Sequence, residues 1–189
     1  MTYSIPFAAL WTGWMLSWLI AARWASRAAA RPPAGQQWMY WRMVGAGAVL
    51  IGLNFRIGER GMQWMPFDTR EQALFVVAAA GLGFTWWARV HLGTLWSGTV
   101  TRKANHRVVK TGPYAIVRHP IYTGISVALI ATVLLRPGWL GLIGAALIIA
   151  SFVVKYRLEE RFLMEVLGPE YAAYRKTVAA LVPFWTGRR

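Results

Sequence analysis

The sequence predicts an all-α integral membrane protein, a helical bundle of about five transmembrane helices, and three observations carry that prediction. Hydrophobic residues make up 57% of the 189 and twelve are Trp, with a mean hydropathy of +0.38, a poor fit to a water-soluble globule. Several apolar windows approach the roughly 20 residues a helix needs to cross hydrocarbon. Lys and Arg are distributed one-sidedly between the segments that join these windows.

The first window covers residues 3–22. No positive charge precedes it, and Arg23 and Arg27 follow it, so it does not have the layout of a cleaved signal and is expected to stay in the mature protein. Arg31, Pro32, Pro33, Ala34 and Gly35 form the linker to a second span at 39–55. A third runs from 72 to 90. Gly45, Gly47, Gly52, Gly81 and Gly83 in this half permit close helix packing. The fourth, 121–135, and fifth, 139–154, are short and separated only by Arg136, Pro137 and Gly138, which predicts a tight helical hairpin. Gly141, Gly144 and Ala145 give the fifth a small-residue face for packing within or between chains, so oligomeric state stays open. One domain is expected over residues 1–189, with 1–90 as helical scaffold and 91–189 as the half that carries the chemistry.

With the N-terminus outside, Arg23, Arg27, Arg31 and Arg42, then Arg89, Arg102, Lys103, Arg107, Lys110 and Arg118, then the basic residues of 155–189 all fall on the cytoplasmic side. The outer loops keep Arg56, Arg60, Arg70 and Arg136, three of them offset by Glu59, Asp68 and Glu71. The expected location is therefore an integral membrane protein with a cytoplasmic C-terminus, in a bacterial inner membrane. The net charge of +14 then reads as an orientation signal with attraction to anionic lipid, not as a nucleic-acid footprint, because the basic residues flank spans and form no stripe with exposed aromatics. Without Cys there are no disulfides, thiolate nucleophiles or Cys-ligated metals. His91, His106 and His119 lack the close spacing of a metal site, and no metal is expected.

Chemistry is expected where the stretch 111–124, TGPYAIVRHPIYTG, meets the fourth span. Arg118, His119, Pro120 and Tyr122 stand together at the mouth of an apolar run, where such groups are costly unless they bind something or line a cavity. A second polar cluster, Lys155, Tyr156, Arg157, Glu159 and Glu160, closes the fifth span. The hairpin predicts that the two clusters share a face and meet. Taken singly, each residue also has an ordinary structural reading. His119 before Pro120 suits a helix N-terminus, Lys155 and Glu159 suit an i, i+4 ion pair, and Tyr171 and Tyr174 suit interfacial anchors on a short C-terminal helix begun by Pro169.

His106, Val108, Val109, Gly112, Tyr114, Arg118, His119, Pro120, Tyr122 and Gly124, followed by Glu159, Glu160, Leu163, Gly168, Tyr171, Tyr174 and Pro183, form a pattern that resembles the isoprenylcysteine carboxyl methyltransferase family. More broadly it resembles the integral-membrane methyltransferases that include phospholipid methyltransferases. The pattern covers roughly the second half of the chain.

The resemblance implies a small helical membrane enzyme with a cytoplasmic pocket for S-adenosylmethionine, product S-adenosylhomocysteine, and a lipophilic small-molecule or lipidated acceptor met in membrane lipid. Cofactor contacts would fall on His106, Arg107, Val108, Val109, Tyr114, Arg118, His119, Pro120, Ile121, Tyr122 and Glu159. Glu159 and the Tyr114 and Tyr122 faces suit a cationic amino group and sulfonium, His119 or Arg118 suits a carboxylate, and Val108 and Val109 suit an adenine slot. An ionised carboxylate acceptor needs no general base, only a cation to hold it, for which Lys155 or Arg157 is the candidate. Where the eukaryotic pattern of the family leads one to expect an Arg, four residues before Glu159, this chain has Lys155, a point charge in place of a fork. Carboxyl O-methylation stands first, with amine N-methylation, using Glu160 or His119 as base, and thiol S-methylation as alternatives. A non-catalytic permease or assembly subunit is the rival of another class, disfavoured by the few polar residues inside the spans, Asn54, Ser126 and Thr132.

Overall fold

A computed structural model describes residues 5–24, 34–57, 69–96 and 108–185. All five apolar windows are helices, and no strand occurs among the described residues. They are α1 (Ile5–Ala21), α2 (Ala34–Ile57), α3 (Thr69–Leu92), α5 (Pro120–Leu135) and α6 (Trp139–Thr177), with the single turn α4 (Pro113–Ile116) ahead of α5. By length and composition, α1 with its short 3-10 extension, α3 and α6 are apolar enough to cross a membrane. The α5 helix is apolar but has 16 residues, about 24 Å at 1.5 Å each. The α2 helix is long enough but more polar, carrying Gln36, Gln37, Arg42, Asn54 and Arg56. Leu16, Ile20, Val49, Val76, Ile130 and Ile143 point outward, the surface expected of a bundle whose solvent is lipid.

The bundle is two tightly packed helix pairs. The α3 helix lies along α5 and the α2 helix along α6, whereas α5 and α6, the sequence neighbours of the expected hairpin, touch each other less. Glycine decides this. A methyl group on Gly81 would come 2.7 Å from the Gly124 carbonyl oxygen, and one on Gly144 would come 2.6 Å from that of Gly47. Backbones that approach so closely gain dispersion contacts that bulkier residues would forfeit, the main attraction available where lipid removes the hydrophobic drive. Gly45, Gly52 and Gly83, grouped with them in the sequence reading, face open space. The small face of α6 packs within the chain: Gly144 meets Gly47 and Ile51, and Gly141 meets Asn54. The Asn54 amide in turn donates to the Arg136 carbonyl oxygen at 2.9 Å, fastening α2 to the α5–α6 turn.

The α1 helix is held largely by indoles. Trp11 donates to Thr132 Oγ1 of α5 at 2.9 Å, and Trp14 donates to Thr85 Oγ1 of α3 at 2.8 Å. Trp86 of α3 donates to Ser17 Oγ at 3.1 Å. One turn further on, the Arg89 guanidinium donates to the carbonyl oxygens of Ala21 at 2.6 Å and Gly93 at 2.7 Å and lies 4.4 Å from the Trp96 ring centroid. Arg89, counted in the sequence among the basic residues of the cytoplasmic side, is fully buried and spends its guanidinium on carbonyl oxygens at the ends of two helical segments.

Candidate functional site

The two polar clusters do meet. Gly112 begins the turn, with φ +57°, a conformation that favours glycine, and the exposed His91 ring packs over it where a methyl group would have to push it aside. Pro113 and Pro120 open α4 and α5 at positions that need no N–H donor. Between them, residues 117–119 run extended beside the segment after α6: Val117 bridges to Ala179, and the Arg118 and His119 amides donate to the Ala179 and Ala180 carbonyl oxygens at 2.8 and 3.0 Å. Thr123 Oγ1 adds a bond to the Leu181 carbonyl at 2.7 Å.

On this rack the side chains of α5 and α6 interlock. Arg118 Nε donates to Glu160 Oε1 at 2.7 Å, and its Nη1 donates to the carbonyls of Val178 and Arg175. Arg175 Nε lies 3.2 Å from Glu160 Oε2. His119 occupies the N-cap position of α5 without a capping bond from its side chain. Its Nε2 lies 3.2 Å from Glu160 and its Nδ1 lies 3.8 Å from Glu159. Tyr122 donates to Glu159 Oε1 at 2.8 Å. The His119 ring stacks between Tyr122 and Tyr156, with centroids at 5.8 and 5.0 Å, and Tyr122 continues the stack onto Phe152 at 5.2 Å.

This arrangement forms one end of a cavity of about 670 Å³. Of the residues expected as a site, Val108, Val109, Tyr114, Arg118, His119, Pro120, Ile121 and Tyr122 line it, with Lys155 and Glu159. Lys155 Nζ sits 5.4 and 5.5 Å from the Tyr40 and Tyr122 ring centroids. Glu160 does not line the cavity but is buried behind it, engaged by Arg118, Arg175 and His119. Arg157 is exposed on the far side of its helix and lies outside the cavity lining. His106 and Arg107 lie outside the described residues. No cluster of candidate metal ligands occurs among the described residues.

Tyr171 and Tyr174 differ from expectation. They are not interfacial anchors: both are buried and line the cavity, and Tyr174 donates to the Tyr114 carbonyl at 2.6 Å. The reason is the kink at Gly168, whose φ of +52° and ψ of −126° are non-helical and let the segment from Pro169 onward turn back over the 111–119 loop. Burial, and next the negative charge of Glu159, push the Tyr114 phenol well above its ordinary pKa, so it stays a neutral hydroxyl.

The opposite wall was not foreseen. Trp11, Trp14 and Trp18 of α1, Tyr40 and Trp41 of α2, and Trp96 complete the cavity. The first three recur at positions i, i+3 and i+7, the spacing of one helix face, and that periodicity was the available signal.

The fold and the site define an all-α membrane protein in which an apolar cavity ends in a glutamate, a histidine and stacked tyrosines. Residues 73–165, just under half of the chain, match the isoprenylcysteine carboxyl methyltransferase (ICMT) family model. It is 34% identical over 84 residues to the protein-S-isoprenylcysteine O-methyltransferase of Saccharomyces cerevisiae, an alignment covering 44% of this chain and 35% of that protein. To methanethiol S-methyltransferase 1 of Bradyrhizobium diazoefficiens it is 31% identical over 140 residues, 65% of this chain and 48% of the relative. The protein-S-isoprenylcysteine O-methyltransferase of Schizosaccharomyces pombe is 32% identical over 99 residues, 51% and 42% of the two chains. The chain thus spans between about a third and a half of the length of these relatives.

Proposed function

We propose that this chain is an S-adenosylmethionine-dependent methyltransferase that modifies a lipophilic acceptor drawn from the membrane, most directly a carboxylate. The observation that carries the reading is Glu159, a carboxylate held by the Tyr122 hydroxyl at 2.8 Å on the wall of a mostly aromatic and aliphatic cavity. A cavity of about 670 Å³ falls within the range that encloses a drug-sized molecule.

The residues fit the cofactor's chemistry. Glu159 and the Tyr122 face suit its ammonium and sulfonium, the apolar Val108 and Val109 suit its adenine, and His119, a polar ring on the same cavity wall, suits its carboxylate. When bound, S-adenosylmethionine supplies an electrophilic methyl group on sulfur and leaves as S-adenosylhomocysteine. What the protein contributes is alignment and dryness: the His119, Tyr122 and Phe152 stack fixes one wall, and the apolar lining excludes water. Lys155, on the cavity wall between two tyrosine rings, is the cation placed to hold an acceptor anion, and the exposed Arg157 is not. An acceptor already ionised needs no base, in keeping with a site in which Glu160 is committed to two guanidinium groups.

Thiol S-methylation is the second reading, favoured by the match to methanethiol S-methyltransferase 1, which extends over more of this chain than either yeast alignment. We further place the polar end of the cavity at the cytoplasmic face, in a bacterial inner membrane with the N-terminus outside, on the strength of the basic residues after the spans.

Calorimetric titration of S-adenosylmethionine and S-adenosylhomocysteine into the purified protein tests the proposal. Saturable binding, lost in Glu159→Gln and His119→Ala proteins that remain folded, is expected. Folded protein that binds neither compound, in detergent or in lipid, overturns the reading in favour of a non-catalytic membrane protein.

A further inference from the structure

The segment after α6 ends, among the described residues, in a bare apolar turn. Val182, Phe184 and Trp185 are 54%, 98% and 74% exposed, and the Trp185 amide closes the turn by donating to the Val182 carbonyl oxygen at 3.2 Å. Phe184 has a φ of +64°, the one positive value at a non-glycine residue among those described. Bulky side chains rarely adopt that conformation, and with it the ring stands clear of the protein.

Its attachment fixes its depth. Thr123 Oγ1, in the first turn of α5, donates to the Leu181 carbonyl at 2.7 Å, and the His119 amide donates to that of Ala180 at 3.0 Å. Phe184 is three residues past Leu181, a reach of about 10 Å at most. Because α5 is apolar from its first turn onward, Val182 to Trp185 lie beside the edge of the hydrocarbon, the depth at which indole rings are favoured.

Charge selects the lipid. Lys176 is exposed in the last turn of α6, Arg188 and Arg189 follow the turn in the sequence, and no Asp or Glu occurs after Glu170. Basic residues beside an apolar interfacial segment attract anionic headgroups. A second copy of this chain is the poorer occupant. It would bring a net charge of +14 to a cationic edge, and three side chains fall short of the roughly 800 Å² per partner that a stable interface buries.

We infer that Val182, Phe184 and Trp185 form an interfacial anchor that docks on anionic lipid, drawn there by the charge of Lys176, Arg188 and Arg189, and that this docking braces the 117–123 segment. The anchor is continuous with Ala179, Ala180 and Leu181, whose carbonyls receive bonds from Arg118, His119 and Thr123. A turn fixed among headgroups therefore restrains the backbone that carries Arg118 and His119. The inference stands apart from the methyltransferase reading.

The chain has no Cys, so Val182→Cys accepts a single environment-sensitive fluorophore. Glu165→Cys, exposed and about 39 Å along α6 from Trp139, serves as the control beyond the hydrocarbon. The full chain is reconstituted in vesicles of phosphatidylcholine alone or mixed with phosphatidylglycerol, the anionic lipid in both leaflets so that orientation does not matter. The Val182→Cys label is expected to emit to the blue of the control and to be quenched severalfold more by lipid bearing a nitroxide near the headgroup. Quenching should be greater in the anionic vesicles, and Lys176→Gln, Arg188→Gln and Arg189→Gln together should remove that excess. In unlabelled protein, amide hydrogen exchange over 117–123 should be severalfold slower in anionic than in neutral vesicles, a difference that Phe184→Ser with Trp185→Ser abolishes. A Val182→Cys label as wet as the control overturns the anchor, and so does a blue-shifted label that nitroxide lipid leaves unquenched, which assigns the turn to a protein contact. Equal quenching in both vesicles overturns the selection of anionic lipid. Exchange indifferent to lipid or to the double substitution overturns the brace.

Discussion

Arg118 and Glu160, 42 residues apart, form an ion pair of 2.7 Å with side chains only 9% and 7% exposed. The pair joins the 111–119 loop to α6, and further bonds from Arg118 to the Arg175 and Val178 carbonyls gather the C-terminal segment onto the same point. Removing one partner leaves the other charge buried, so Glu160→Gln or Arg118→Met is expected to destabilise the protein by about 3–5 kcal/mol. Thermal unfolding in detergent measures this. Lys110→Ala, which breaks the half-exposed Lys110–Glu170 pair at 3.0 Å, should change stability by less than about 1 kcal/mol in the same assay.

Tyr122→Phe keeps the stacking on His119 and Phe152 but removes the hydroxyl that orients Glu159. A hydrogen bond to a charged group contributes about 1.5–3 kcal/mol. Its loss should lower stability by about that amount in thermal unfolding and, if Glu159 holds the cofactor, should also weaken S-adenosylhomocysteine binding measured by calorimetry.

The glycine contacts are separable by substitution. Gly81→Ala and Gly144→Ala each press a methyl group onto a backbone carbonyl across a helix interface, where neither side can yield by rotating a side chain. Each should cost about 1–3 kcal/mol, the range for overpacking. Gly83→Ala, on the same helix as Gly81 but facing open space, should be neutral or slightly stabilising in the same unfolding measurement.

Arg89→Lys is expected to fail as a conservative change. The guanidinium reaches two carbonyls on different segments and lies over Trp96, a geometry that an ammonium does not reproduce. Loss of one of those bonds should lower stability by about 1.5–3 kcal/mol. Because these bonds fix the end of α1, proteolysis near residues 22–24 should also accelerate.

Much of the site was legible in advance because its residues are close in sequence. Val108 to Tyr122 forms one loop and helix start, and the two glutamates close an apolar run, so their convergence needed only that α5 and α6 turn back on each other. The resemblance assigned Glu159 to the cofactor and offered Glu160 as a base, but residue types and spacing alone did not say which glutamate faces the cavity. Adjacent residues on a helix point about 100° apart, and that rotation sends Glu159 to the cavity and Glu160 to the Arg118–Arg175 side, while Arg157 ends on the exposed face. Choosing between Lys155 and Arg157 required the helix to be docked.

The five apolar helices, their lipid-like surroundings and the loop that carries the site follow from the chain alone, because apolar length, glycine and proline placement and local spacing act through contiguous residues. Tertiary structure decided the remainder. The pairing of α3 with α5 and α2 with α6, the inward turn of Tyr171 and Tyr174, the burial of Arg89 and the indole wall of α1 all depend on which helix faces meet. Faces are chosen by packing between residues tens of positions apart, Gly81 against Gly124 and Gly47 against Gly144, and hydropathy along one segment carries no record of its partner.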